Sequence, residues 1–383
     1  MRRCVLVPAA LALALAAPAT LAADTVFGIR GIGLLGRPLS VRAASSGGAF
    51  SLFDGTSVLN PAALTQFGGP LGWAALAATS RRFSDGTLAA SLGSTRFPLF
   101  GFATPIGRRA VAGVTIGEYL DRTWAVQTSK DTLLRDTTTT MSDLARSTGG
   151  VSDVQLAAAY RVNPAIAVGV GLHALVGSSR LTVVRSFSNT AFSDYSEAAT
   201  TEFSGLGVSM GVSARLGSRL AAAASARLNG SLRAAVSGGP RTRVAMPVEV
   251  DGSVLYAPST EVGLAAAVGY QSWSRASSAL EAAGQPPSRD VWNMALGAEV
   301  SALRWHRNVV PVRVGYRWRQ LPFPLAAADN AAPLSEHAFT AGLGLALAGG
   351  RATLDAGLEL GSRSAGSARE RFTTANVGLT VRP

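Results

Sequence analysis

The chain has 383 residues, with 35 Lys or Arg against 23 Asp or Glu, a formal charge of +12 at pH 7. Its single cysteine, Cys4, excludes a disulfide framework or a thiolate metal site. The positive balance reads first as solubility of exposed loops and second as affinity for phosphate-rich lipid headgroups; without a clustered basic helix, no nucleic-acid partner is expected.

The first elements in chain order are export signals. Arg2 and Arg3 precede an apolar stretch from Val5 to Ala19 and the small-residue site Thr20-Leu21-Ala22, which reads as a cleaved secretory signal over residues 1–22. Removing the two arginines takes the formal charge to about +10, and Cys4 leaves with them. Past the signal, no run of 18 or more apolar residues offers a spanning helix.

Residues 23–70 follow no strand pattern. Asn60-Pro61-Ala62 opens a short helix, with Asn as the cap and Pro at the first helical position, and Gly68-Gly69-Pro70 stops it. The helix presents Leu59, Ala63, Leu64 and Phe67.

From residue 71 to 383, odd and even residues belong to different chemical worlds. Between Arg351 and Gly361 one face carries Leu354, Ala356, Leu358 and Leu360, and the other Thr353, Asp355, Gly357 and Glu359. The same alternation sets Trp292, Met294, Leu296, Ala298 and Val300 against Asn293, Gly297 and Glu299. It also sets Val312, Val314, Tyr316 and Trp318 against Arg313, Arg317 and Arg319. Successive strand residues point to opposite sheet faces, so one face is hydrocarbon and the other polar. About 14 such segments in succession predict an all-β, antiparallel transmembrane barrel with lipid outside. The inward charges suit a wet lumen better than a dry core, where unpaired charge is costly. Val162-Asn163-Pro164, Gly217-Ser218, Pro258-Ser259 and Gly349-Gly350 read as tight turns. Polar stretches Ser129–Gly150, Ser186–Thr200, Ser277–Ser288, Leu321–Leu334 and Ser364–Glu370 read as longer external loops. Arg96 to Arg109 fits the pattern least well.

An Asn-Pro-Ala turn just before the first strand resembles the FadL/TodX-type long-chain fatty acid and hydrocarbon transporter family, which includes PorV-like proteins. Met246-Pro247-Val248-Glu249 continuing to Tyr270-Gln271-Ser272-Trp273, and Val312 to Phe323 followed by Glu336-His337-Ala338-Phe339, resemble it too. The resemblance implies a barrel whose N-terminal segment folds inside as a hatch, with Asn60, Pro61, Ala62, Leu64 and Phe67 belonging to it. It implies passive import of hydrophobic small molecules across the bacterial outer membrane by a monomer, whose partners are membrane lipid and the ligand. PorV-like behaviour, secretion or surface attachment of a protein partner, is the alternative. The polar Ser129–Gly150 stretch departs from the apolar capture surface usual in fatty-acid transporters.

The inward arginines Arg313, Arg317 and Arg319 carry two readings. They either neutralise Glu249, Asp251, Glu299, Asp355 and Glu359, bracing the strands and the hatch, or keep a guanidinium available for a ligand carboxylate. Tyr316, Trp318, Trp273 and Trp292 fit interfacial girdles. His173, His306 and His337 form no metal site by spacing, and no His lies near Ser272 or Ser274, although long-range pairing is not legible from spacing. No enzyme activity and no cofactor are expected.

Overall fold

The computed structural model describes residues 26–57, 59–84, 89–305, 308–325, 334–366 and 368–383. The signal stretch 1–22, His306 and most of the Leu321–Leu334 connection therefore lie outside the described residues.

Fourteen antiparallel staves close into one barrel. In chain order they are β1 (Leu71–Ser84), β2 (Ala89–Pro105), β3 (Ala110–Asp121, continued by Trp124–Leu134), β4 (Thr137–Arg161), β5 (Ile166–Phe187) and β6 (Tyr195–Arg215). Next come β7 (Leu220–Asn229, continued by Ser231–Val236), β8 (Arg241–Ala245, continued by Val248–Tyr256), β9 (Val262–Gln271) and β10 (Val291–Val300). The last are β11 (Val312–Gln320), β12 (Ser335–Leu347), β13 (Ala352–Ala365) and β14 (Ala368–Val381). Pairing of β1 with β14, from Gly72↔Val381 to Ser84↔Arg369, closes the ring. Closure leaves no free sheet edge, the condition for a sheet to span lipid.

The alternation has a direct physical readout. Leu206, Val170, Leu172 and Leu296 are among the most exposed large side chains, whereas the opposite-face Arg313, Arg317 and Glu359 are buried. An apolar belt outside and polar groups inside mark a membrane-spanning barrel of the outer-membrane type. Trp292 stacks on Tyr270 at 5.0 Å, and Tyr316 on Phe339 at 5.0 Å, on the outer surface. Trp273 departs from the girdle expectation. It sits in the 3₁₀ turn Trp273–Ala276, which folds over the barrel mouth, and is 1% exposed against Phe323.

Several connections differ from their expected lengths. Ser129–Gly150 is sheet rather than loop: Trp124–Leu134 pairs with Thr137–Ser147 through a turn at Arg135 and Asp136, both at positive φ. Two-residue turns with positive φ match the twist of the flanking strands, and β-branched threonines favour the extended backbone. Together with the far ends of β5 and β6, this hairpin raises a wing of sheet beyond the apolar belt. Ser364–Glu370 is likewise a tight hairpin, since Ala365 pairs with Ala368. Ser277–Ser288 holds a helix, α2 (Ser277–Ala282), whose Leu280 is buried. Arg96 to Pro105 continues β2.

The N-terminal segment lies inside the barrel. A short helix, α1 (Val41–Ser45), is capped by the Ser40 hydroxyl accepting from the Ala43 amide. It lies on a shelf of inward glycines contributed by β11, β12 and β13. A Cβ at Gly315 would collide with the backbone of Ser46, and one at Gly342 with the Ser45 hydroxyl. Further along, Asn60 caps the 3₁₀ helix Pro61–Gln66 by accepting from the Ala62 amide, as its sequence predicts. The inner segment thus fills much of the lumen, and Arg317, Arg319, Glu336 and Arg363 are buried within protein.

Candidate functional site

Asn60 anchors the lower part of the inner segment. Its Nδ2 donates to the Leu52 carbonyl at 2.8 Å and to Ser213 Oγ on β6 at 3.1 Å. Pro61 and Ala62 are buried against β5 and β6, Leu64 is buried among residues of β1 to β4, and Phe67 packs on Trp73 of β1 at 6.0 Å between ring centres. All five residues singled out by sequence therefore stand together at one end of the lumen.

The arginines stand at mid-lumen, each already engaged. Arg313 donates to Glu299 and Asp355, both at 2.6 Å, and Glu299 also pairs with Arg42 of α1 at 2.8 Å. Arg317 bridges Glu336 and Glu359 at 2.6 Å each. Arg319 reaches Glu336 at 2.8 Å, and Arg363 reaches it at 2.6 Å. Glu336 is 0% exposed and accepts from three guanidinium groups. The spacing pointed to mutual neutralisation, but Glu336 escaped it. Glu336 directly faces Arg319 and Arg363 across β11 and β13, a juxtaposition that only strand register reveals. Two buried nitrogens, Arg317 Nη1 and Arg319 Nε, have no hydrogen-bond partner among the described residues.

Two cavities meet the part of this network around Arg317, Arg319 and Glu336. One of about 130 Å³ runs between the inner segment and β9–β11, lined by Arg37, Leu59, Tyr119, Arg227, Arg317 and Arg319. Another of about 120 Å³ lies between the network and β1–β3, lined by Leu35, Ala77, Arg96, Pro98, Glu118 and Arg319. Above them, Trp273, Phe323, Met246, Leu232 and Leu280 pack into an apolar lid at the outer end.

Behind the second cavity the wall itself changes. β2 pairs with β3 only from Pro105↔Val111 to Leu99↔Gly117. Beyond Leu99, no pairing joins the two strands among the described residues. The local sequence explains the break. Pro98 has no amide to donate, and the register of β2 against β1 shifts between Ala75 and Ala77, as at a β-bulge. Phe97 turns outward at 73% exposure. This bulge disrupts the alternation over Arg96–Arg109. The edge of β3 is instead covered from inside. Leu34 and Leu35 pair with Asp121 and Leu120, and the Gly36 amide donates to the Tyr119 carbonyl at 2.8 Å. Arg96 spans the break to Glu118 and Asp121, both at 2.6 Å. An interrupted wall, an inner strand covering it and a cavity behind it thus lie together at this point of the barrel.

A family model described as BamG matches residues 1–236, more than half of the chain. The chain belongs to the BamG family. No curated protein matches the sequence. The BamG-family barrel is similar in structure to a Pseudomonas aeruginosa FadL homologue, at 10% identity over 91% of this chain and 99% of that chain, with a TM-score of 0.60. It is also similar to the Ralstonia pickettii toluene transporter TbuX, at 15% identity over 93% and 99%, with a TM-score of 0.58. The CymD monoaromatic hydrocarbon channel matches at 15% identity over 92% and 99%, with a TM-score of 0.57. At such identities the likeness is one of fold. The FadL-type resemblance in the sequence thus holds for the architecture, while the family that matches is BamG, a different one.

Proposed function

We propose that this BamG-family barrel imports small hydrophobic molecules, hydrocarbons or long-chain fatty acids, across the outer membrane, and that its residues 23–70 act as the hatch. The observation that carries this reading is the wall break between β2 and β3 with a cavity directly behind it. An apolar molecule released there enters lipid without crossing water, which is the favourable direction for hydrocarbon. The hydrocarbon and toluene channels of the same fold support the reading by analogy of architecture. Arg317 and Arg319 line both cavities and hold unpaired nitrogens, so a ligand carboxylate would be received there. Arg313 faces a different cavity, beside Asp355 and Arg382.

The test is uptake of labelled oleate and labelled toluene by a deletion strain carrying wild type or Ala77→Trp, which fills the cavity behind the break. Wild type is expected to restore uptake of at least one ligand, with Ala77→Trp failing while still folded in the membrane. Uptake unaltered by the deletion sinks the import reading. That outcome would favour a role in secretion or surface attachment of proteins, the reading favoured by the sheet wing rising beyond the membrane.

A further inference from the structure

Away from the wall break, three polar side chains on neighbouring strands meet inside the barrel. His173 of β5 lies between Asp153 of β4 and Ser209 of β6. Its Nδ1 is 2.9 Å from Asp153 Oδ2, and its Nε2 is 2.8 Å from Ser209 Oγ. All three are buried, at 0%, 3% and 7% exposure for Asp153, His173 and Ser209. A carboxylate only accepts hydrogen bonds, so Nδ1 donates to Asp153, and in the neutral imidazole Nε2 is the acceptor for the serine hydroxyl. These are the contacts by which an orienting acid and a base activate a serine nucleophile.

The surroundings go beyond bracing. Gly171 is required for the convergence, because a Cβ there would stand 2.6 Å from Ser209 Oγ and 2.9 Å from Gln155 Nε2. The Thr115 hydroxyl donates to Gln155 Oε1 at 3.2 Å, which turns the amide nitrogen toward His173, 3.4 Å from its Nε2. Ser209 stands directly across from Arg227 on β7. Arg227 donates to Asp153 at 2.6 Å and lines the 130 Å³ cavity, while its Nη2 is buried with no hydrogen-bond partner among the described residues. Arg227 thus links that cavity to the strand position opposite Ser209, a cationic donor for the negative charge that develops on an attacked carbonyl oxygen.

We propose that Ser209, His173 and Asp153 form a hydrolytic site for small carboxylic esters. Ser209 Oγ bonds to the ester carbonyl carbon as its proton passes to His173 Nε2. The carbon–alkoxide bond then breaks, and the alkoxide leaves with that proton as an alcohol. Water repeats the sequence on the acyl-serine and releases the carboxylic acid. Asp153 is a positioning residue, and Arg227 is the donor offered to the oxyanion.

The inference stands apart from import, because its test uses purified full-length protein folded in detergent and needs no transport. A fluorophosphonate probe and p-nitrophenyl butyrate are the reagents, with site assignment by peptide mass. Wild type is expected to be labelled at Ser209 and to hydrolyse the ester. Ser209→Ala should abolish labelling, and His173→Gln should slow both reactions on the order of 10³-fold. Asp153→Asn should lower the rate of ester turnover while leaving KM near wild type, a split that a purely structural role would not produce. Heat-modifiable gel mobility confirms that Ser209→Ala is folded, since one hydroxyl is removed from an intact barrel. Folded wild type that stays unlabelled, is labelled elsewhere, or hydrolyses ester no faster than Ser209→Ala overturns the proposal.

Discussion

Glu336 offers the sharpest test of how the lumen is held. It accepts Arg317 on Oε1 and both Arg319 and Arg363 on Oε2, at complete burial. Replacing it by Gln keeps the volume and removes the charge. Whichever way the amide turns, its NH₂ faces guanidinium donors. Arg317 retains Glu359, and Arg363 retains Glu370. Arg319 loses its one carboxylate partner among the described residues. Breaking a buried pair from one side costs about 3–5 kcal/mol, so Glu336→Gln should destabilise the barrel by about that amount. The measurement is urea unfolding of protein refolded into lipid vesicles, followed by tryptophan fluorescence and gel mobility. Adding Arg319→Met removes the stranded cation, and the double variant should regain at least about 2 kcal/mol. A single variant within about 1 kcal/mol of wild type, or a double variant no better than the single, would refute the argument.

Other expectations follow from the same geometry. Gly342→Leu places a side chain where the Ser45 hydroxyl sits, so α1 should leave its shelf; limited proteolysis of residues 41–46 in intact cells should rise, with the barrel still heat-modifiable. Asn60→Ala removes the cap and two donor bonds, which should cost about 1–2 kcal/mol in unfolding free energy. Val170→Arg puts a charge on the lipid face at a side chain 62% exposed, costing about 2–4 kcal/mol. The same change at Thr138, on the wing beyond the apolar belt, should cost less than about 0.5 kcal/mol.

Legibility in the sequence followed the range of the physics. Asn60-Pro61 announced its helix because a cap and its first turn are local, and the structure forms the bond between Asn60 and the Ala62 amide. The polar hairpin from Trp124 to Ser147 was misread because alternation was taken as the sign of a strand, and a strand wet on both faces does not alternate. Trp273 was misplaced for a related reason. An aromatic residue at a strand end looks the same whether it faces the headgroups or folds over the mouth.

The triad-like contact of Asp153, His173 and Ser209 could not be seen as a unit. Their separations along the chain are 20 and 36 residues, and only the register of β4, β5 and β6 brings them to one level. Equally, the poor pattern at Phe97-Pro98 was visible, but its consequence required knowing that β3 lies next to it and that Leu34–Gly36 covers the exposed edge.

What the chain determined by itself is the barrel: a period of two, repeated about 14 times with turn residues between, admits lipid on one side only. The inner face was determined no further than its composition. Whether an inward arginine meets water, a carboxylate or a ligand depends on which strand stands beside it and on what fills the lumen. Both are long-range relations, set by register and by the docking of the inner segment, with α1 against the glycine shelf. The filled lumen, the hub at Glu336 and the interrupted wall therefore belong to the tertiary structure.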